Sequence, residues 1–320
     1  MDNIKVSVVI PVYNTEDYVN DAIKSILDQT LVDIEIIVIN DGSTDRSLSI
    51  ISKLANLDGR IRIVNRENKG ISNSRNEGIS KARGKYIYFM DSDDVLSPNA
   101  LCECLDRCEN ENLDFVFFNA EAFGESSDLS LFTYFQRTGY VDGATRSGLD
   151  MLKLLNSSGN LQISACLNFI NLSFLKRIEL CFYPNILYED ELFVYQLYLK
   201  AERVSYLSQR FYRRRVRNES IMTGKFSFAN INSYFVIESE LIRLMEETDS
   251  GEVKIMISKR LHEIIVSMLR KARKGTARIK LLVFRHCIIK LRPFLLPKDF
   301  KLLFSLILSI AVSVLRGKKA

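Results

Sequence analysis

The chain has 320 residues and a mass of 36.8 kDa, enough for one large domain or two ordinary ones with a substantial core. Hydrophobic residues make up 47% and charged residues 26%, with 14 Gly and 5 Pro, which excludes a disordered, collagenous or low-complexity scaffold. Its two histidines, His262 and His286, lie in the last fifth of the chain, so acid–base chemistry in the earlier part falls to carboxylates.

The net charge of +5 is unevenly spread: residues 254–320 carry 17 Lys and Arg against Glu263 and Asp299, a local +15 that leaves −10 for residues 1–253. The six cysteines, Cys102, Cys104, Cys108, Cys166, Cys181 and Cys287, form no paired framework, and MDNIKVSVVIPVYN runs straight into a strand without a leader pattern. Both features predict a reducing, cytoplasmic setting. Cys102, Cys104 and Cys108 lack CxxC spacing and a nearby His, so they read as helix cysteines rather than metal ligands.

In chain order, Val6–Ile10, Ile34–Ile39, Ile61–Val64 and Tyr86–Met90 are short Val- and Ile-rich runs that predict strands. Segments of helical spacing separate them: Thr15 to Gln29, a helix after Asp41-Gly42-Ser43-Thr44-Asp45, and Ser72 to Ala82. This βαβ rhythm predicts a mostly parallel sheet covered on both faces. A further strand is expected at Leu113–Phe118, then an irregular stretch to about 185 with a strand near Ala165–Ile170. A helix over Leu187–Ala201, a strand over Val204–Leu207 and a basic segment from Phe211 to Thr223 follow. Helices are expected over Ser227–Glu247, Val253–Arg273, Ile279–Leu291 and Pro297–Leu315.

Parallel α/β sheets bind ligands at the carboxyl edge, where loops and helix N-termini converge. Strand one ends in Pro11-Val12-Tyr13-Asn14, strand two in Asn40-Asp41-Gly42-Ser43, and strand four in Asp91-Ser92-Asp93-Asp94. Any one of these is an ordinary turn or helix cap; three on one rim point to a site. The clustered carboxylates of Asp91-Ser92-Asp93 call for a cation, and Mg or Mn with oxygen ligands fits two carboxylates plus phosphate oxygens.

The segments VSVVIPVYNTEDYVNDAIKSIL, IIVINDGSTD, NKGISNSRNEGISKARGKYIYFMDSDD and YEDELFVY, in this order, resemble the family 2 glycosyltransferases of GT-A fold over roughly the first 220 residues. The resemblance implies a Rossmann-like, mostly parallel central sheet flanked by helices, with a C-terminal helical extension. Residues 1–223 would be the catalytic domain, its nucleotide-sugar half about 1–120 and its acceptor half about 121–223; residues 224–320 would be a basic helical region. The implied activity is inverting hexosyl transfer from a nucleoside diphosphate sugar, usually UDP-linked, in assembly of a bacterial surface polysaccharide such as capsule, exopolysaccharide or O-antigen. Mn or Mg would sit on the diphosphate, held by Asp91 and Asp93.

Residue by residue, the resemblance sets Pro11, Tyr13 and Asn14 at the nucleotide, Tyr13 against the base and Asp41 accepting a hydrogen bond from the uracil ring. Arg75 matches a basic residue near the diphosphate, where a guanidinium forms forked phosphate bonds. Asp91, Ser92 and Asp93 match the D-x-D, with Asp94 in support, and Asn68 and Gly70 match a turn with a backbone role. Glu189-Asp190 resembles the family's acidic pair, whose second member is the base, so Asp190 is the catalytic candidate. Read from the residues alone, the acids 189–191 also suit a helix N-terminus. Arg215, Arg217 and Ser220 occupy places in a segment expected to close over the diphosphate, although Arg213 and Arg214 stand where the family pattern has aromatics.

The apolar run 302–315 is too short to span a bilayer. Together with the surrounding Lys and Arg it predicts peripheral contact with an anionic membrane at its cytoplasmic face, or else a helix packed on the catalytic domain. No nucleic-acid recognition motif is present. Two other activities share these features: a non-catalytic nucleotide-sugar binding module and a sugar nucleotidyltransferase.

Overall fold

A computed structural model describes residues 4–124, 137, 141–216, 226–273, 275–289, 299, 304, 305 and 307. They divide into two units, Met1–Asn185 with Glu189–Asn218, and Ile186–Tyr188 with Glu219–Ala320.

The first unit opens with β1 (Val6–Val12), α1 (Val19–Leu27), β2 (Ile34–Asp41), α2 (Ser47–Leu57), β3 (Ile61–Arg66), α3 (Ile71–Lys81) and β4 (Tyr86–Phe89). Every residue of β1, β2 and β4 is buried, because helices cover both faces of the sheet and leave no side for polar alternation. β5 (Val95–Leu96), α4 (Ala100–Glu111) and β6 (Phe115–Gly124) follow, then α5 (Gly148–Ser157), a one-turn 3-10 helix (Ala165–Leu167), β7 (Asn168–Asn171), α6 (Leu172–Arg177), α7 (Glu189–Lys200) and β8 (Val204–Val216). The eight strands are ordered β3-β2-β1-β4-β7-β6-β8-β5. The first four are mutually parallel, and β7 runs antiparallel between β4 and β6.

Two elements differ from the sequence expectation for reasons that bear on the site. α1 begins at Val19, not Thr15: Tyr18 N–H and Val19 N–H both return to Thr15 O (2.9 Å) in a separate turn, while Thr15 N–H donates to Ser47 Oγ (3.0 Å) and Glu16 N–H to Asp45 Oδ2 (2.9 Å). β8 continues through the basic segment to Val216, since Phe211 and Tyr212 are buried between exposed or half-exposed arginines and the backbone pairs with β6 past a bulge at Asn119. The stretch expected to be irregular holds two short helices, α5 and α6, and the strand expected near Ala165–Ile170 is β7, at Asn168–Asn171.

Packing of α3 on β1 requires a residue without a side chain: a Cβ on Gly78 would lie 2.2 Å from Val9 Cγ1. Gly78→Ala is expected to cost about 1–3 kcal/mol by forcing helix and sheet apart. Chemical denaturation checks this, and an unchanged midpoint would contradict the packing.

The second unit comprises α8 (Phe228–Glu247), α9 (Gly251–Ala272) and α10 (Ala277–Ile289). Ser227 and Asn230 form a capping box at the start of α8. α9 buries Met256, Ile257, Leu261, Ile264, Ile265, Met268, Leu269 and Ala272 at helical spacing. Among the described residues no helix is long and apolar enough to cross a membrane. Most of the run 302–315 lies outside the described residues.

Candidate active site

Parallel register sets the strand ends side by side: Val12 beside Asn40, Asp41 beside Arg66, and Met90 N–H on Val9 O (3.0 Å). The loops beyond them are stitched together by polar side chains. Asn14, at φ +50°, donates its N–H to Ser43 Oγ (3.1 Å) and accepts at Oδ1 from Thr44 N–H (2.8 Å). Thr15 Oγ1 donates to Ser92 Oγ (3.0 Å), joining the first loop to the D-x-D turn. Tyr13 is 51% exposed at this rim, and Pro11 is buried in β1 where β4 has ended and only β2 still pairs.

Asp41 is buried and already holds three donors: Arg66 Nε (2.9 Å), Lys69 N–H (3.0 Å) and Gly70 N–H (2.8 Å). Any base contact would share its oxygens with these groups. Gly42, at φ +73°, lets Asn68 approach so closely that a Cβ would lie 2.7 Å from Asn68 N. Arg66, absent from the sequence-derived site, also reaches Glu77 Oε2 and Ser74 Oγ, both 2.8 Å away. Extending the strand-end argument to β3 points to it, since Arg66 is that strand's last residue.

The Arg75 side chain is 2% exposed, and its terminal nitrogens face protein carboxylates. Nη2 donates to Asp91 Oδ1 (2.9 Å), and Nη1 donates to Glu189 Oε1 (2.7 Å) and Asp190 Oδ1 (2.9 Å). Burial alone would lower its pKa, but the charges of Asp190, Asp91 and Glu189 outweigh it and hold the value well above normal. The guanidinium lies 5.0 Å from the centre of Phe182, which stacks on Phe193 at 3.8 Å. An aromatic wall thus fixes the bridge from behind.

That bridge brings together acids from β4's end and from the first turn of α7. Burial pushes the Asp190 carboxyl up to about 7, and Glu189 and Asp91 add to the rise against the pull of Arg75. Its side chain remains 23% exposed, so a substrate proton can reach it. A carboxyl held near neutrality is suited to accept a proton at physiological pH.

The D-x-D turn is held from the opposite side by β8. Asp94 accepts from Tyr212 Oη (2.5 Å) and from Arg215 N–H (2.6 Å), and Arg215 Nε donates to Asp93 O (2.9 Å). Arg215 therefore fastens the turn through its backbone and Nε, and lies 5.0 Å from the ring of Tyr18 and 4.6 Å from that of Phe123. Tyr212 is the partner the sequence reading missed, since its pairing with Asp94 across 118 positions is encoded by no local pattern. Arg217 and Ser220 lie outside the described residues.

Among the described residues no group of three or more His, Cys, Asp or Glu side chains forms a metal cage. The donor set nevertheless fits a hard divalent ion completed by phosphate oxygens. Burial together with the charges of Asp93 and Asp91 drives the Asp94 carboxyl up to about 8, a local excess of negative charge that a cation would relieve.

A mostly parallel sheet flanked by helices, with Tyr13, Asn14, Asp41 and Asp91 at its carboxyl edge, is the α/β arrangement that binds ligands at its strand ends. Residues 7–152 match the family model "Glycosyl transferase family 2". The putative glycosyltransferase EpsH of Bacillus subtilis is 34% identical over 226 residues, covering 69% of this chain and 64% of EpsH, just under two thirds of that relative's length. Glycosyltransferase GlyG of Streptococcus pneumoniae is 31% identical over 230 residues, 70% of this chain and 75% of GlyG. The chain belongs to glycosyl transferase family 2. Its fold also matches the crystal structure of S. aureus TarS 1-349 in complex with UDP-GlcNAc, at a TM-score of 0.65 and 19% identity, covering 98% of this chain and 92% of that one.

Proposed function

We propose that this enzyme moves a sugar, with inversion, from a UDP-sugar to a hydroxyl of a saccharide or lipid-linked saccharide during assembly of a capsule, exopolysaccharide or O-antigen. The observation that carries the reading is the Arg75 bridge, which sets a donor-side carboxylate, Asp91, and a near-neutral acid, Asp190, on one guanidinium. Asp190 takes the proton of the acceptor hydroxyl as its oxygen attacks the anomeric carbon; the bond from that carbon to the diphosphate oxygen breaks, and UDP departs with the electron pair. Tyr13 offers a stacking surface for the base, and Asn14 and Asp41 shape the loops around it. Asp93 and Asp91 would hold Mg or Mn, which when bound neutralises charge on the leaving diphosphate. The TarS complex with UDP-GlcNAc, on a similar fold, supports a UDP-linked donor. Peripheral attachment to an anionic membrane at the cytoplasmic face is part of this reading, supported by the +15 of residues 254–320.

A screen of nucleotide sugars for thermal stabilisation and slow hydrolysis, with and without Mn, tests the proposal. UDP as the product supports it, whereas pyrophosphate would identify a nucleotidyltransferase and stabilisation without any turnover a binding module. Chelation with EDTA is expected to abolish transfer and Mn to restore it. Full activity in EDTA would remove the metal from the reading.

A further inference from the structure

α10 carries two apolar faces. Ile279, Val283 and Cys287 are buried, and His286 on the same side pairs Nε2 with Glu238 Oε2 of α8 (2.7 Å) while its ring stacks on Phe235 at 3.6 Å. The helix is thereby anchored to its own unit. At 100° per residue, Arg278, Leu281, Leu282, Arg285, Ile288 and Ile289 fall on the opposite side within an arc of about 120°. All six are exposed, the four aliphatic ones by 36–70%.

Solvent exposure of four aliphatic side chains in one stripe is unfavourable and marks a contact surface. The charges on the stripe select its occupant. Both are arginines, Arg278 exposed with its guanidinium 5.3 Å from the ring centre of Phe228 on α8; α10 contains no acid, and no acidic residue occurs between Glu263 and Asp299. Arg270 and Arg273, at the end of α9 just before it, are exposed as well. Self-association through this stripe would bring arginines together with no carboxylate on the helix to pair them. A bilayer surface with anionic headgroups supplies both partners at once: phosphates for the arginines and an acyl boundary for the leucines and isoleucines.

We propose that the Arg278–Ile289 stripe of α10 is the surface that seats this enzyme on an anionic membrane. It rests on the proposed membrane reading and assigns that contact to one helix face. The geometry differs from a spanning segment: α10 has 13 residues and keeps its other side packed on protein, so it lies in the headgroup plane.

The test is co-sedimentation of the full chain with vesicles of phosphatidylcholine alone or with added phosphatidylglycerol. Wild type is expected in the pellet only with phosphatidylglycerol. The combined variant Leu281→Ser, Leu282→Ser, Ile288→Ser and Ile289→Ser is expected to lower partitioning more than tenfold. Arg278→Gln and Arg285→Gln should each lower it about fivefold, lost again at high salt. Thermal melting and UDP-sugar hydrolysis in solution report the fold and the active site of each variant separately. Vesicle binding by wild type that the variants leave intact overturns this assignment and spares the membrane reading. Absence of binding by wild type overturns both, while the hydrolysis assay still judges the transferase. A dimer that the serine variant converts to monomer, without vesicle binding, would make the stripe an interface between copies and overturn the proposal.

Discussion

Asp190→Asn is expected to lower the transfer rate by a factor of about 100 to 10,000, the range for loss of a general base, while UDP-sugar still binds and stabilises the fold. The amide keeps the size of the carboxyl and can still pair in part with its neighbours, but it accepts no proton. Single-turnover transfer beside donor binding by calorimetry separates the two effects; unchanged transfer would remove Asp190 from the mechanism. The same residue sets a pH dependence. A base works only when ionised, and burial puts this carboxyl at about 7, so kcat/KM is expected to fall tenfold per pH unit below that value and to level off above it. A profile flat between pH 5 and 8 would contradict the assignment.

Substitution at Arg75 has the second large effect, on stability as well as on rate. Arg75→Met removes the cation that the described side chains place between Asp91, Glu189 and Asp190; because Asp91 and Asp190 keep partial solvent access, the cost is expected to fall below the about 3–5 kcal/mol of a fully buried pair. Arg75→Lys keeps the charge but not the two-pronged geometry, since a point charge cannot reach three carboxylates from both sides of a planar group. In the lysine variant Asp190 loses part of the interaction that lowers its pKa, so the acid limb of the rate profile should move to higher pH. Denaturation midpoints and the pH profile measure these consequences. Wild-type stability with an unmoved limb would show that the bridge is ornamental, and a raised donor Km alone would place Arg75 at the diphosphate.

Much of the first unit is legible from the chain because its strands are nearly uninterrupted Val and Ile runs and its helices have helical apolar spacing. The strand ends that gather Tyr13, Asn14, Asp41 and Asp91 follow from parallel topology alone. Boundaries fail where a separate turn precedes the helix, as at Thr15–Tyr18 before α1, where Tyr18 N–H and Val19 N–H share Thr15 O. They fail again in β8, where an arginine-rich segment conceals a strand whose Phe211 and Tyr212 face inward. The basic composition of residues 254–320 is visible at once; which face of α10 is left open is not, because its apolar residues surround the axis.

Sequence by itself determined the family, the mostly parallel sheet, the acidic turn after β4 and the acidic pair that opens α7. Tertiary structure decided what those groups do to one another. Asp91 and Asp190 are nearly 100 residues apart, and only closure of the sheet lets Arg75 hold both. Local pattern records the type and spacing of residues along the chain. A guanidinium's choice between a ligand's phosphate and three protein carboxylates depends on burial and distance, which exist only once the chain has folded.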